Sequence, residues 1–368
     1  MLASGRTAGV FVFAIAVALV TFAAPAAAFD DSGTVYTSTN SATGNEIRAF
    51  DRAPDGSLAP AGSFATAGTG TGGGLGNQGA VVLDDHAERL FAVNAGSDSI
   101  TSFKVTHRGL RIRDVEPSNG DRPISLSVHG DLLYVLNAGS DQISGFRIRG
   151  GGDLRPLAGS TRALSGAGTD PAQVEFSPFG DLLAVTEKAT NRIDTFLIGS
   201  DGRPGQLRSQ PSAGETPFGF AFDTRGNLIV SEAFGGAPNA SALSSYDLAP
   251  DGGIAPISPV VLTGQTAACW VVVTENGRFA YTTNTGSGNI SSYAVDRDGS
   301  IALLESIAAD TGAGSAPTDL ALDTSRHLFV LNSGSGAVGA YRVRGDGGLV
   351  PVDLVGGLPA GSTGLAAS

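Results

Sequence analysis

Residues 133–146 read Leu133-Tyr-Val-Leu-Asn137-Ala-Gly-Ser-Asp-Gln-Ile143-Ser-Gly-Phe146, and the same pattern recurs along the chain. An apolar strand ends in a polar residue, a Gly/Ser turn follows, and a second strand ends in Phe or Tyr. We call the polar residue that ends the first strand the marker residue. Markers recur at intervals of roughly 50 residues, the length of a four-stranded propeller blade. The seven marker residues are Asn40, Asn94, Asn137, Glu187, Glu232, Asn284 and Asn332.

Further strands flank each copy of the pattern. The preceding strand often begins with proline, as in Pro171–Ser177, where Val174 and Phe176 alternate with more polar positions in the period of two expected of a strand. A turn such as Asp298-Gly299 follows the second strand and indicates a hairpin to a short outer strand. The order in each blade is therefore inner strand, marker strand, Phe/Tyr strand and outer strand.

The first copy lacks its inner strand, and the other end of the chain supplies a candidate. Residues 362–368 resemble the inner strand that begins at Pro317. The sequence therefore predicts an all-β fold, a seven-bladed β-propeller with four-stranded blades, closed by pairing of the C-terminal strand with the N-terminal blade. An open solenoid is the alternative, but it would need capping repeats, and the split repeat favours the ring.

The N-terminus has the order of a signal peptide. Arg6 precedes an apolar stretch from Ala8 to Phe22, and Ala26 and Ala28 occupy the two small positions before a cleavage site, as in secretory signals. We predict a signal peptide at 1–28, a single propeller domain at 29–368, and a secreted protein, extracellular or periplasmic. A retained membrane anchor is the alternative, but the apolar stretch falls short of the roughly 20 residues that span a bilayer. No later segment is apolar enough to span.

Charge and cysteine content limit the classes of partner. The net charge is −12, with 23 Lys and Arg against 35 Asp and Glu, which argues against nucleic acid and anionic membranes. We expect a monomer whose ligand, if any, is a small molecule. Cys269 is the single cysteine, so no intrachain disulfide forms, and its apolar surroundings favour a buried small hydrophobe over a nucleophile.

The Leu-Tyr-Val-x-Asn strand, followed by Ser-x-x-Ile-x-x-Phe, resembles the repeat of the lactonase-type propeller family over residues 33–368. That family includes bacterial 6-phosphogluconolactonases of the propeller type and 3-carboxymuconate-lactonising enzymes. The resemblance implies hydrolysis or isomerisation of a lactone at the mouth of the central channel. Family enzymes typically begin one inner strand with Pro-Arg-His and end the next strand with Glu.

This chain departs from that family pattern. Glu187 stands at the position of the Glu, but Ala172 replaces the Arg and Gln173 replaces the His. Gln cannot transfer a proton near neutral pH. A non-catalytic propeller that binds a ligand or a cell-surface partner is therefore the alternative function.

Candidate site residues follow from the repeat. Five markers are Asn, which suits turns, but Glu suits them poorly. Glu187 and Glu232 are therefore predicted as a carboxylate pair that shares acid–base catalysis or binds a cation or, alternatively, as solvent-facing substitutions. Gln173 and the residues at matching positions of other inner strands, Trp270 and Asp319, are predicted to bind ligand. Trp270 either forms an apolar wall or packs between blades, and packing is favoured.

The remaining motifs do not indicate a metal, histidine or dinucleotide site. The spacing of His and Cys indicates no zinc site, and we predict neither metal nor cofactor. His86, His107, His129 and His327 fall in predicted turns and are expected to be solvated. Residues 68–79 contain a formal Gly-x-Gly-x-x-Gly, but no helix follows and the run joins two blades, which disfavours dinucleotide binding.

Export can be tested directly. We expect the mature protein to begin at Phe29, because cleavage after Ala28 fits the small-residue rule. N-terminal sequencing of protein recovered from the medium or periplasm measures this, and an intact Met1 in the exported protein would contradict it.

Overall fold

The computed structural model describes residues 32–84 and 86–368, together with residues 1, 2 and 5. The predicted cleavage site at Ala28 and nearly all of the predicted signal peptide lie outside the described residues. The described part of the chain contains 29 strands and one 3-10 turn, Phe234–Gly236. In that part, none of the helices has the length and apolar character needed to cross a membrane.

The strands of the first four blades follow in chain order. Blade 1 contains β1 (Gly33–Ser38), β2 (Glu46–Arg52) and β3 (Leu58–Ala65). Blade 2 contains β4 (Val81–Leu83), β5 (Arg89–Asn94), β6 (Ser99–Thr106) and β7 (Gly109–Pro117). Blade 3 contains β8 (Pro123–His129), β9 (Leu132–Asn137), β10 (Gln142–Ile148), β11 (Leu154–Pro156) and β12 (Arg162–Ala163). Blade 4 contains β13 (Pro171–Phe176), β14 (Leu182–Glu187), β15 (Arg192–Leu197) and β16 (Arg208–Pro211).

The remaining blades have the same arrangement. Blade 5 contains β17 (Pro217–Phe222), β18 (Leu228–Glu232), β19 (Ala242–Leu248) and β20 (Ile254–Leu262). Blade 6 contains β21 (Ala268–Val273), β22 (Phe279–Asn284), β23 (Asn289–Val295) and β24 (Ile301–Asp310). Blade 7 contains β25 (Pro317–Leu322), β26 (His327–Asn332), β27 (Ala337–Val343) and β28 (Leu349–Gly356), and the chain ends with β29 (Thr363–Ala367).

Each blade is an antiparallel sheet whose strands are ordered from the axis outward as they follow in sequence. Blade 3 differs only in that its outer strand is divided into β11 and β12, which both pair with β10. Blade 1 has the order β29-β1-β2-β3. The predicted seven-bladed propeller, including its closure by the C-terminal strand, is therefore confirmed.

The core consists of seven apolar clusters, one between each pair of neighbouring blades. The cluster between blades 7 and 1, for example, joins Phe329 and Leu331 to Val35, Phe50 and Leu365. The aromatic residues that end the third strands are buried in these clusters, which explains the Phe/Tyr position of the repeat. Packing sheet against sheet in this way excludes water from both faces of each blade.

Closure places the two ends of the described propeller side by side. Thr37 of β1 pairs with Leu365 of β29, and the N–H of Ser368 donates to the C=O of Thr34 at 3.1 Å. The buried side chain of Arg52 lies 3.4 Å from the C=O of Ser368 and 3.0 Å from Asp323 of blade 7. The terminal strand is therefore held by backbone pairing and by a buried cation.

Deletion of residues 362–368 should destroy the ring. It removes β29 from the edge of β1 and leaves an unpaired, apolar strand exposed. We expect the truncated protein to aggregate or to lose its cooperative thermal transition, as measured by size-exclusion chromatography and calorimetry.

A permuted control separates loss of the strand from loss of chain length. In it, residues 362–368 are placed before Ser32 through a short turn, so that the strand can still pair with β1. This permuted chain should remain monomeric. A truncated chain that is monomeric and melts like the full-length protein would contradict the closure.

Candidate functional site

The innermost strands present one edge of each blade to the central axis, where backbone groups lack a strand partner. Polar side chains of neighbouring blades supply partners. Gln173 on β13 accepts a hydrogen bond from the N–H of Phe220 at 2.7 Å and donates to its C=O at 2.9 Å. Ser125 on β8 accepts from the N–H of Val174 at 3.1 Å. Several side chains along the axis are therefore committed to holding neighbouring blades together.

The glycine-rich residues 68–79 enter this axis from the connection between blades 1 and 2, and we call them the plug. Gln78 spans to blade 6, where it donates to the C=O of Val271 at 2.8 Å and accepts from its N–H at 3.1 Å. Its own N–H donates to the C=O of Ala172 in blade 4 at 3.2 Å. The plug thus connects inner strands of two separate blades.

Asn77 makes three further hydrogen bonds, which attach the plug to blades 1, 3 and 6. Its side chain donates to the C=O of Ile124 in blade 3 and accepts from the hydroxyl of Thr363 in blade 1 at 3.0 Å. Its C=O accepts from the indole N–H of Trp270. Ile124, Thr363 and Trp270 all lie near the beginnings of their strands. The plug therefore closes the channel at the face where inner strands begin, which is also the face of the marker residues.

Local packing explains why the plug fits. Trp270 is 5% exposed, and its ring lies 5.0 Å from the ring of Phe218. A Cβ at position 219 would lie 2.5 Å from the backbone C=O of Cys269 and 2.3 Å from Oε1 of Gln78, so glycine is required there. Lys188 donates to the C=O of Gly76 at 2.6 Å and lies over the ring of Phe218. Trp270 therefore contacts Phe218 and the plug, and it also lies in the apolar cluster between blades 6 and 7. Its predicted role in ligand binding stays a prediction.

Below the plug the channel widens into a cavity of about 640 Å³. Gln78 lies at its closed end, and inner strands of blades 1, 2, 3, 4 and 7 form its walls. Asp84, His129 and Leu322 line its other end, at the ends of the inner strands. The cavity is therefore closed at the plug and opens on the face opposite the marker residues.

Asp319 lines this cavity and has an unused hydrogen-bonding atom. The residue is 2% exposed, and its Oδ1 accepts from the N–H of Leu320 at 2.9 Å. Its Oδ2 has no hydrogen-bond partner within residues 32–84 and 86–368. Burial raises the pKa of Asp319 well above its usual range, against the opposing effect of backbone N–H groups. The protonated carboxyl can donate to a ligand.

Glu175 is a second carboxyl in the same cavity. Its Oε2 accepts from Nε2 of Gln173 at 2.6 Å. Burial raises the pKa of Glu175 to about 8. A carboxylate with that pKa is a much stronger base than an ordinary one, and its pKa is typical of the range used in acid–base catalysis.

The cavity favours uncharged ligands. No lysine or arginine of the described residues lines it, and the third acidic residue, Asp84, is paired with Arg89 at 2.7 Å. In the same part of the chain, no group of three or more His, Cys, Asp or Glu side chains is arranged to hold a metal. The structure thus brings Gln173 and Asp319 into one cavity, whereas Trp270 does not line it. Ligand binding by these three residues stays a prediction.

Glu187 lies elsewhere, in a buried connection between blades 3 and 4. It is 0% exposed and accepts from the N–H and hydroxyl of Ser165 and from the hydroxyl of Thr190. Burial, together with the interaction with Glu187, raises the pKa of Asp194 to about 8. These bonds hold the segment that crosses from one blade to the next.

Glu232 holds the following connection in the same way. It is 0% exposed and accepts from the N–H of Gly214 at 2.7 Å and from the hydroxyl of Ser244 at 2.8 Å. Asn94 of blade 2 similarly accepts from the hydroxyl of Thr66 at 2.6 Å. The two Glu residues therefore sit in separate structural clusters and neither is solvent-facing. Their catalytic role stays a prediction, but neither lines the cavity.

The histidine prediction is wrong for His327. That ring is buried and lies 3.0 Å from Asp323, which also binds Arg52, because the turn is covered by blade 1. His129 is half-buried at the cavity rim. Cys269 is buried as predicted, and burial raises the pKa of its thiol to about 12.

Two features of the candidate site, Glu175 and the plug, were not predicted from the sequence. Glu175 could have been suspected from a carboxylate between Val174 and Phe176 in an inner strand. The plug could have been suspected from the polar pair Asn77-Gln78, which ends a glycine run just before a blade. Neither pattern predicts that Glu175 and the plug meet on the central axis.

Comparisons with known proteins agree with this architecture. A family model described as "Lactonase, 7-bladed beta-propeller" matches residues 30–234 and 236–357. No curated protein matches. A Lactobacillus plantarum protein is similar with a TM-score of 0.75 and 17% identity, over 92% of this chain and 99% of that one. The Pseudomonas aeruginosa periplasmic gluconolactonase is similar with a TM-score of 0.70 and 18% identity, over 90% of this chain and 98% of that one.

Replacement of Gln78 tests the plug. Gln78→Ala leaves the N–H and C=O of Val271 buried without their partners, at a cost on the order of 1–3 kcal/mol for each group. We expect a lower free energy of unfolding and faster hydrogen exchange at the Val271 amide. Gln206→Ala, at an exposed position, is the matched control. Equal stability and exchange in the two variants would show that the plug is not held as described.

Proposed function

Because the chain belongs to the seven-bladed lactonase β-propeller family, we propose that it hydrolyses an uncharged lactone in the cavity below the plug. The observation that carries this proposal is the presence of two carboxyls with raised pKa values, Glu175 and Asp319, in one closed-ended cavity. The family resemblance supports the reaction class. The cavity lining supports the choice of substrate charge.

Lactone hydrolysis needs a base for the attacking water and a donor for the carbonyl oxygen. In the proposed mechanism, the Glu175 carboxylate takes a proton from water as the water oxygen attacks the carbonyl carbon. The protonated Asp319 donates a hydrogen bond to the carbonyl oxygen as it gains negative charge. When the ring C–O bond breaks, the proton on Glu175 passes to the leaving alkoxide, which restores the carboxylate.

Gln173 has a positioning role in this proposal. It donates to Glu175 while both ends of its amide are held by Phe220, so the base is fixed on the cavity wall. The family enzymes carry a His at this position of the pattern, and Gln173 cannot replace its proton transfer. The base is therefore assigned two residues further along β13.

The residues that line the channel cavity favour a substrate without negative charge. An anionic lactone, such as a phosphorylated one, would enter a cavity with acidic groups and, among the described residues, no lysine or arginine. In the active form the Glu175 carboxylate would repel such an anion. We therefore propose an unphosphorylated sugar lactone or a similar neutral ring, and we extend the proposal to an exported protein, as the N-terminal pattern predicts.

A non-catalytic binding propeller is the second candidate. The replacement of the family Arg and His by Ala172 and Gln173 favours it. In that case the protonated carboxyls of the cavity would serve as hydrogen-bond donors to a polyol, with saturable binding and no turnover.

Hydrolysis of D-glucono-1,5-lactone and of its 6-phosphate, measured above the spontaneous rate, tests the proposal. We expect turnover of the neutral lactone with a higher kcat/KM than the phosphorylated one. Below pH 8 Glu175 is protonated, so kcat/KM should rise about tenfold per pH unit and level off above about pH 8.

Variants then locate the base. Glu175→Gln should lower kcat about 10²–10⁴-fold, and Asp319→Leu about 10²–10³-fold, while Glu305→Gln on an exposed outer strand changes nothing. If instead Glu187→Gln and Glu232→Gln lose kcat by that factor while Glu175→Gln remains active, the catalytic residues are the marker pair and not Glu175. Saturable gluconate binding without hydrolysis of either lactone would favour the binding propeller.

A further inference from the structure

A second cavity lies between blades 6 and 7, on the face where the channel opens. Its volume is about 350 Å³. Leu322 lines both this cavity and the channel cavity, so the two are immediate neighbours. We call it the arginine pocket, because Arg278, Arg326 and Arg344 line it.

The charge of this pocket is unusual for a chain with a net charge of −12. Among the described residues, neither Arg278 nor Arg326 forms an ion pair, and Arg278 lies over the ring of Phe279 at 5.2 Å. Arg344 is paired with Asp346 at 2.7 Å. The acidic lining residues are Glu275 and Asp323, and Asp323 is already bound to Arg52 and His327. Within the described residues, the lining therefore holds two arginines without an ion pair, Arg278 and Arg326, against one such carboxylate, Glu275.

The backbone of the turn determines where Arg326 lies. Arg326 has φ +69 in the turn after the inner strand of blade 7. Glycine stands at the same position in four other blades, as Gly130, Gly180, Gly226 and Gly277, all with positive φ. A long side chain in this left-handed conformation is strained. Ala87 at this position of blade 2 also has positive φ, so the left-handed turn belongs to the repeat, and what is particular to blade 7 is that the turn carries a guanidinium to the pocket.

We propose that the arginine pocket binds the oxyanion group, phosphate or carboxylate, of a small ligand. Guanidinium groups match both anions through paired N–H donors. Thr274, Asn276 and Thr324 add polar groups to the lining. The arginine pocket carries the positive charge that the channel cavity lacks. The pocket therefore selects anionic ligands and the cavity uncharged ones, on the same face of the ring.

Calorimetric titration of the full-length protein with inorganic phosphate and, separately, with citrate at low salt tests the proposal. We expect saturable binding of one anion per chain, and the two titrations distinguish phosphate from carboxylate. Arg326→Gly should weaken binding about 10- to 100-fold, the usual weight of a charge-assisted hydrogen bond. Arg278→Ala should do the same.

Arg326→Gly should also change the thermal stability, and it should raise the stability while it weakens anion binding. Because glycine accepts the left-handed turn without strain, this variant should melt roughly 1–3 °C higher than the parent protein. A folded, more stable protein that has lost the anion is the expected result.

The matched control is Arg225→Ala, which removes an exposed arginine from the corresponding turn of blade 5 and should leave binding unchanged. Absence of saturable binding of either anion, or an equal loss in Arg225→Ala, would overturn the proposal. These titrations do not involve Glu175 or Asp319, so their outcome is independent of lactone hydrolysis.

Discussion

Each blade of this propeller is a sheet with two apolar faces, and neither face can remain in water. The blade is therefore stable only between two neighbours, and the series of neighbours must close on itself. Seven apolar clusters satisfy this requirement, including the one in which Leu365 of the terminal strand joins Phe329 of blade 7. Since the described propeller has no disulfide, packing between blades and pairing of the two ends carry its stability.

Closure creates a second requirement at the axis. Seven inner strands meet there with unpaired backbone edges, which need hydrogen-bond partners when water is excluded. Gln173 and Ser125 satisfy neighbouring strands directly, and Asn77 and Gln78 of the plug satisfy strands across the channel. The same polar groups that complete the ring also divide the channel, so the cavity has one closed end and one mouth.

The distribution of charge follows from this division. On the marker face, buried carboxylates such as Glu187 and Glu232 are saturated by hydroxyl and N–H donors of the crossing segments. On the axis below the plug, Asp319 retains an oxygen without a partner within the described residues. A buried polar atom left unsatisfied is costly in a core, and it is available to a ligand in a cavity. For this reason we propose acid–base chemistry in the cavity rather than at the marker pair.

The sequence alone determined the blade count, the strand order within blades and the closure, because these depend on local alternation, turn residues and a repeat that is visible in one dimension. It also placed Gln173, Trp270 and Asp319 at equivalent positions of inner strands, and of these Gln173 and Asp319 line the cavity while Trp270 does not. Only the tertiary structure decided that Glu175 and Asp319 share a cavity, that Glu187 and Glu232 hold connections between blades, and that Asn77 and Gln78 at the end of the glycine-rich segment cross the axis. Those outcomes depend on which side chains meet across the ring, between strands far apart in sequence, and a glycine-rich segment has no periodicity from which its path could be read.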